Sequence, residues 1–228
     1  MFSRLSHLIP IILFFGIFSL YLYTSPPGAT QYADSSELIT ASYILGIPHP
    51  PGYPIFVLVG KLFSFLPFGE IAWRYSAMTS LLGAMTVVLV YLILVKILSR
   101  ELGMKNQELG SATPARSPYS KFLIPNSQPS FISFLYVYIP ALVGSLSLAF
   151  SYIFWLYSIV PEVWAFNSFF TALLLYLGVR WYYASREKTE EEVKSQNAKG
   201  KITTQNSKVR ILFSIFYFLV SGATSIPL

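Results

Sequence analysis

The chain carries apolar segments too long and too poor in charge for a soluble globule. The clearest covers 75–98, where Lys96 is the only charged residue. A hydrocarbon core takes ~20 residues of helix to cross, and a backbone inside it must satisfy its own hydrogen bonds. Segments of this kind lie at 8–23, 75–98, 131–157, 163–183 and 211–228. The first is short and is completed by His7 and Thr24. The third exceeds one straight span and contains Pro140, so it is expected to tilt or kink. Composition agrees with this reading. Hydrophobic residues make up 54% of the 228 and charged residues 11%, against about 25% charged in soluble domains. The expected fold is an all-α integral membrane protein with about five transmembrane helices.

The basic residues give the orientation. Arg4 precedes the first segment, Arg100, Lys105, Arg116 and Lys121 follow the second, and a run from Arg186 to Arg210 follows the fourth. With five segments all of these fall on one side, which the positive-inside rule makes cytoplasmic. The N-terminus is then cytoplasmic and the loop holding Asp34 extracytoplasmic. The net charge of +6 therefore reflects topology, and no nucleic-acid partner is expected. The polar stretches 99–130 and 184–210 read as cytoplasmic linkers. The first apolar segment resembles a signal peptide, but Thr24-Ser25-Pro26-Pro27 makes a poor cleavage site, so a retained helix is expected. Cysteine is absent, which excludes disulfides, thiolate metal sites and a Cys nucleophile. No Walker loop, dinucleotide fingerprint, His-Glu-x-x-His or Ser-His-Asp arrangement is present, so nucleotide-driven chemistry is not expected.

The polar residues outside the linkers gather in one place. Ala33-Asp34-Ser35-Ser36-Glu37 is followed by Pro48-His49-Pro50-Pro51-Gly52-Tyr53-Pro54. Asp34 reads as an N-cap with Glu37 at N3, a capping box, and Gly46 and Pro48 are stop signals. Pro54 opens a second short helix that ends before Pro67. Two interfacial helices are expected, at 34–46 and 54–66. Spanning by 53–66 is the alternative and would flip the side of everything before it, but its short length and central Lys61 favour an interfacial or re-entrant helix. Capping alone accounts for Asp34 and Glu37. Their position beside the bilayer, where carboxylates are costly, and the adjacent His49 point to a site as well. Plain roles exist for the others too. His49 can simply bond a backbone carbonyl, Lys61 and Arg74 can snorkel to headgroups, and Glu162 can cap the fourth membrane helix. Glu162 belongs to the site only if its turn folds back on the first loop.

These runs, with Gly60-Lys61-Leu62-Phe63, Leu66-Pro67-Phe68-Gly69, Ala72-Trp73-Arg74 and Val160-Pro161-Glu162-Val163-Trp164-Ala165-Phe166-Asn167, resemble a specific family. It is the domain-of-unknown-function family of prokaryotic multispanning proteins related to the eukaryotic transmembrane protein O-mannosyltransferase, placed with glycosyltransferases of the GT-C fold. The resemblance implies a partial GT-C-like fold in a prokaryotic plasma membrane. It also implies transfer of a mannosyl or other hexosyl group from a polyprenyl-phosphate-linked donor to a protein or glycan acceptor hydroxyl on the outer face. Asp34 matches the position of the base, with Glu37 as second choice. His49, Tyr53, Lys61, Arg74 and Glu162 are the expected substrate-binding residues, and positive charge on His49, Lys61 or Arg74 would steady the leaving phosphate. Some GT-C enzymes use a divalent metal, and Asp34, Glu37 and His49 offer ligands without a diagnostic spacing. The family is longer than this chain, so an N-terminal fragment is expected, with its activity as a fragment open. The alternative is a non-enzymatic multispanning protein, a transporter or structural subunit. The scarcity of charge inside the membrane segments argues against transport.

Overall fold

The computed structural model describes residues 2–28, 34–112 and 134–198. Among them the regular structure is entirely helical: α1 (Phe2–Thr24), α2 (Ser35–Ile44), α3 (Pro54–Ser64), α4 (Ile71–Ala112), a π-helical turn (Phe134–Tyr138), α5 (Ile139–Ala149), α6 (Tyr152–Ile159) and α7 (Val163–Ala198). Three helical stretches are long and apolar enough to cross a membrane: His7–Thr24, Ile71–Glu101 and Val163–Val193. Leu135–Ala149 and Tyr152–Ile159 make a fourth if counted as one broken span. The expected segment at 211–228 lies outside the described residues, as do 113–130 and 199–210 of the two linkers.

Two differences from the sequence reading have physical causes. Helix α4 runs on to Ala112 and α7 to Ala198, so helix continues into stretches expected to be irregular. Glu, Lys, Gln, Leu and Arg are good helix formers, and extending an existing helix avoids the cost of nucleation. The third segment does bend, by 65°, but not at Pro140. That proline occupies the first turn of α5, where its missing N–H removes no helical bond. The bend falls at 150–151. There Phe150 N–H closes α5 on the Leu146 carbonyl (2.9 Å), and the extended Ser151 (ψ 134°) opens α6 by accepting from Trp155 N–H (2.9 Å).

The chain divides into two compact units, Met1–Trp181 and Tyr182–Leu228. In the second, the described helical residues bond locally, with Thr189 Oγ1 donating to the Ser185 carbonyl at 3.0 Å. In the first, α4 is the post against which α1, α3, α5 and α6 pack. Its middle, at Ala84, Val87 and Tyr91, meets Leu13, Ile17 and Tyr21 of α1 and Ala141 and Ala149 of α5. Its first turns, at Ala72, Tyr75 and Met78, meet Leu38 and Ile39 of α2, Phe56 of α3 and Phe166 of α7. This second cluster seats the α2–α3 hairpin on the bundle. Burying a large apolar side chain of this kind contributes about 1.5–3 kcal/mol where water is the reference. Several polar groups in the bundle find internal partners, as an apolar surround favours, while the buried hydroxyls of Tyr75, Ser76 and Tyr91 have none among the described residues. Tyr21 Oη donates to the Ala149 carbonyl at 2.7 Å, and Ser25 and Ser80 hydroxyls lie 3.2 Å apart.

Two glycines let these helices approach. A Cβ on Gly60 of α3 would sit 2.6 Å from Tyr75 Cε1 and 3.1 Å from Ser42 Cβ. One on Gly83 of α4 would collide with Ser158 of α6 and approach Tyr21 of α1 to 3.2 Å. Gly16 has nothing within 4 Å of such a Cβ. Overpacking of this sort costs about 1–3 kcal/mol. Gly60→Val and Gly83→Val are therefore expected to lower the thermal unfolding midpoint in detergent micelles, whereas Gly16→Ala should leave it in place.

Candidate functional site

Glu162 follows Pro161 in the turn between α6 and α7 and is only 3% exposed. Its Oε1 accepts the Asp34 backbone N–H at 3.0 Å and the Ser35 hydroxyl at 3.1 Å. The turn therefore does fold back on the first loop, the condition under which the sequence placed Glu162 in the site. Among the described residues no Lys or Arg pairs with this carboxylate. Burial raises its pKa, and the Ser35 and Asp34 hydrogen bonds offset only part of that.

The capping box expected from the sequence does not form. Asp34 sits at the N-cap of α2, but its side chain makes no capping hydrogen bond. Its backbone N–H, which a capping box would direct to Glu37, goes to Glu162 instead. Glu37 turns to the following loop. Its Oε1 accepts the His49 backbone N–H at 2.7 Å and its Oε2 lies 3.0 Å from His49 Nδ1. The His49 backbone N–H, followed by its ring, holds the Glu37 carboxyl below the usual carboxylate range.

The loop is shaped to present His49 there. Helix α2 ends with Leu45 in the left-handed region (φ 56°), while Gly46 N–H bonds the Ala41 carbonyl at 2.7 Å and Leu45 N–H the Ser42 carbonyl at 3.4 Å, a Schellman arrangement. Gly52 (φ 87°) then returns its N–H to the His49 carbonyl at 2.9 Å. Tyr53 precedes Pro54, which occupies the first turn of α3, and its ring meets the His49 ring edge-on with centroids 5.5 Å apart. On the other side of the imidazole, Nε2 stands 3.6 Å from Asp34 Oδ2. Asp34, Glu37 and His49 keep 55%, 47% and 36% of their side-chain surface open to solvent, so the cluster is accessible to a reactant.

Of the residues singled out in the sequence, Asp34, Glu37, His49, Tyr53 and Glu162 come together. Lys61 and Arg74 take other partners. Lys61 Nζ donates to the Tyr43 carbonyl at 2.6 Å and lies over the Tyr43 and Phe65 rings. Arg74 donates to the carbonyls of Ser64 (2.6 Å), Phe68 and Gly69, fastening the end of α3 to the start of α4. Sequence reasoning did not single out Ser35, which is fully buried and bonds Glu162. Its signal was its place in the Asp-Ser-Ser-Glu run, which does not distinguish it from the neighbouring Ser36.

Asp34, Glu37 and His49 each offer a ligand atom, all within 4.8 Å of one another. Both Glu37 oxygens are already held by His49. A carboxylate oxygen that accepts a hydrogen bond keeps a second lone pair, and His49 keeps Nε2 beside Asp34, so the three side chains offer ligand atoms to a cation without breaking that clamp.

A family model for the protein O-mannosyl-transferase TMEM260 N-terminal domain matches residues 34–219. The chain is 30% identical over 178 residues to the protein O-mannosyl-transferase TMEM260 of Mus musculus, covering 78% of this chain and 20% of that protein. It is 28% identical over 175 residues to the protein O-mannosyl-transferase tmem260 of Dictyostelium discoideum, covering 75% of this chain and 17% of that one. The match thus spans about a fifth of the length of these relatives. No solved structure matches. Both relatives are eukaryotic and lend no support to the expected prokaryotic membrane; the apolar helices themselves mark an integral membrane protein.

Replacing Glu162 separates hydrogen bonding from charge. Glu162→Ala leaves the Asp34 N–H and Ser35 hydroxyl without this acceptor and is expected to cost about 1–3 kcal/mol. Glu162→Gln keeps an acceptor oxygen and removes the buried charge. A carboxyl whose pKa is raised on folding contributes stability that is complete at low pH and lost as pH rises through the raised pKa. The Gln variant should therefore flatten the pH dependence of the unfolding midpoint and hold or raise it at neutral pH, while the Ala variant lowers it.

Proposed function

The chain belongs to the protein O-mannosyl-transferase TMEM260 N-terminal domain family, and from that membership we propose that it builds the acceptor-activating part of a glycosyltransferase site in the membrane. The reaction is transfer of a mannosyl or other hexosyl group from a polyprenyl-phosphate-linked donor to a hydroxyl of a protein or other acceptor on the outer face. The names of the relatives support sugar transfer. The bilayer supports the donor class, because a lipid-phosphate donor keeps its anomeric carbon at headgroup level beside the ends of the membrane helices.

The observation that carries the reading is the setting of Asp34. Its backbone is fixed by a buried carboxylate, yet its side chain is exposed and uncommitted to a cap. A general base needs this combination: fixed position, free lone pairs and access for the acceptor. In the proposed step Asp34 takes the proton of the acceptor hydroxyl as its oxygen attacks the anomeric carbon, and the lipid phosphate leaves with the electrons of the broken bond. Of the three residues considered for the phosphate, His49 stands in the cluster, while Lys61 and Arg74 are engaged with main-chain carbonyls.

The test uses the full-length polypeptide in liposomes containing polyprenyl-phosphate mannose, with a Ser/Thr peptide as acceptor. Asp34→Asn keeps size and hydrogen bonding but removes the base, and it should lower turnover by about 100-fold or more. Transfer at the wild-type rate would refute the assignment.

A further inference from the structure

Both oxygens of Glu37 are held by one residue. The His49 backbone N–H fixes Oε1 at 2.7 Å, and the ring Nδ1 fixes Oε2 at 3.0 Å. A main-chain and a ring contact to the same carboxylate determine both where the histidine sits and how its ring is turned. An ionised carboxylate only accepts hydrogen bonds, so the proton of the neutral imidazole belongs on Nδ1. The lone pair of Nε2 then points away from Glu37, and the group it meets is Asp34 Oδ2, 3.6 Å away. Tyr53 backs the ring edge-on.

Pinning the Pro-rich loop to α2 would need only the His49 backbone N–H. The second contact, to Nδ1, does nothing for the loop's path that the first does not, but it does aim Nε2. This is the logic by which a buried acid orients a histidine against a third group, here with a carboxylate as that third group. From this geometry we infer that Glu37, His49 and Asp34 form a proton relay, in which His49 Nε2 takes from Asp34 the proton that Asp34 removes from the acceptor. The inference rests on the reading of Asp34 as base.

The step balances as follows. The acceptor O–H bond breaks and its proton moves to Asp34. The acceptor oxygen bonds to the anomeric carbon, and the carbon–oxygen bond to the lipid phosphate breaks with its electron pair on phosphate. The proton then passes from the Asp34 carboxyl to Nε2, leaving an imidazolium with its Nδ1–H on Glu37, and is released to water from the exposed ring. The gap of 3.6 Å exceeds a hydrogen bond, and the Asp34 side chain has no capping bond to break in closing it. Such contacts commonly tighten only in the reacting complex. Lys61 and Arg74 bind carbonyls elsewhere, so among the described residues His49 is the basic side chain that stands beside Asp34. Glu37, expected from the sequence as a second catalytic carboxylate, becomes the positioning residue for His49.

The experiment uses the same liposomes, donor and peptide, with His49→Ala, His49→Gln, Glu37→Gln and Asp34→Asn. The relay predicts that His49→Ala lowers kcat about 100-fold with the donor KM unchanged, and that added imidazole restores part of the rate. His49→Gln carries the same kcat test if the Ala variant does not fold. Glu37→Gln should lower kcat by a smaller factor and gain nothing from imidazole. Wild-type kcat in the His49 variants, a loss expressed wholly in the donor KM, or no response of His49→Ala to imidazole would overturn the relay. Its failure is distinguishable from that of the base. Inactive Asp34→Asn beside fully active His49 variants refutes the relay alone, whereas fully active Asp34→Asn refutes the base on which it stands.

Discussion

A carboxylate buried without a Lys or Arg partner is costly to maintain, and the first loop of this protein is organised by Glu162, which has no such partner among the described residues. Glu162 joins residues far apart in sequence, accepting from Asp34 and Ser35 at the start of α2 while standing at the start of α7. Without it, the Asp34 N–H and the Ser35 hydroxyl would lose this acceptor. With it, the chain entering α2 is fixed and the Asp34 side chain is left free, so one contact serves both the fold and the exposure of the candidate base.

The rest of the site follows from how the α2–α3 hairpin is held. Tyr75 and Met78 of α4 receive Leu38 and Phe56 from beneath, Gly60 allows α3 to close on Tyr75, and Lys61 and Arg74 tie helix ends through main-chain carbonyls. The hairpin is thus a seated unit, and the loop between its helices needs only the Glu37 clamp to bring His49 beside Asp34. Lys61 and Arg74, expected from the sequence as substrate-binding residues, are engaged with main-chain carbonyls, and among the described residues His49 is the basic side chain that stands beside Asp34 and Glu37.

Much of the fold was legible because the bilayer limits the options: long apolar runs must be helical, and three of the five expected segments correspond to candidate spans among the described residues, with a fourth if the bent pair is counted as one span. The short helices were legible too, because Pro54 and Gly46 mark a start and a stop. The errors have a common origin in local pattern. Asp34 and Glu37 have capping-box spacing, but spacing cannot reveal that a glutamate 128 positions away claims the same N–H. Pro140 signals a kink only if it lies inside a helix, and a π-helical turn before it places it at a helix start. Ser35 is silent in sequence because burial, not residue type, separates it from Ser36.

The central claim is that Glu162 holds the Asp34 backbone, and amide hydrogen exchange reads that bond directly. In the full-length polypeptide the Asp34 amide should exchange slowly, remain slow in Glu162→Gln, and become fast in Glu162→Ala. Fast exchange in the wild-type protein, or protection that persists in Glu162→Ala, would contradict it.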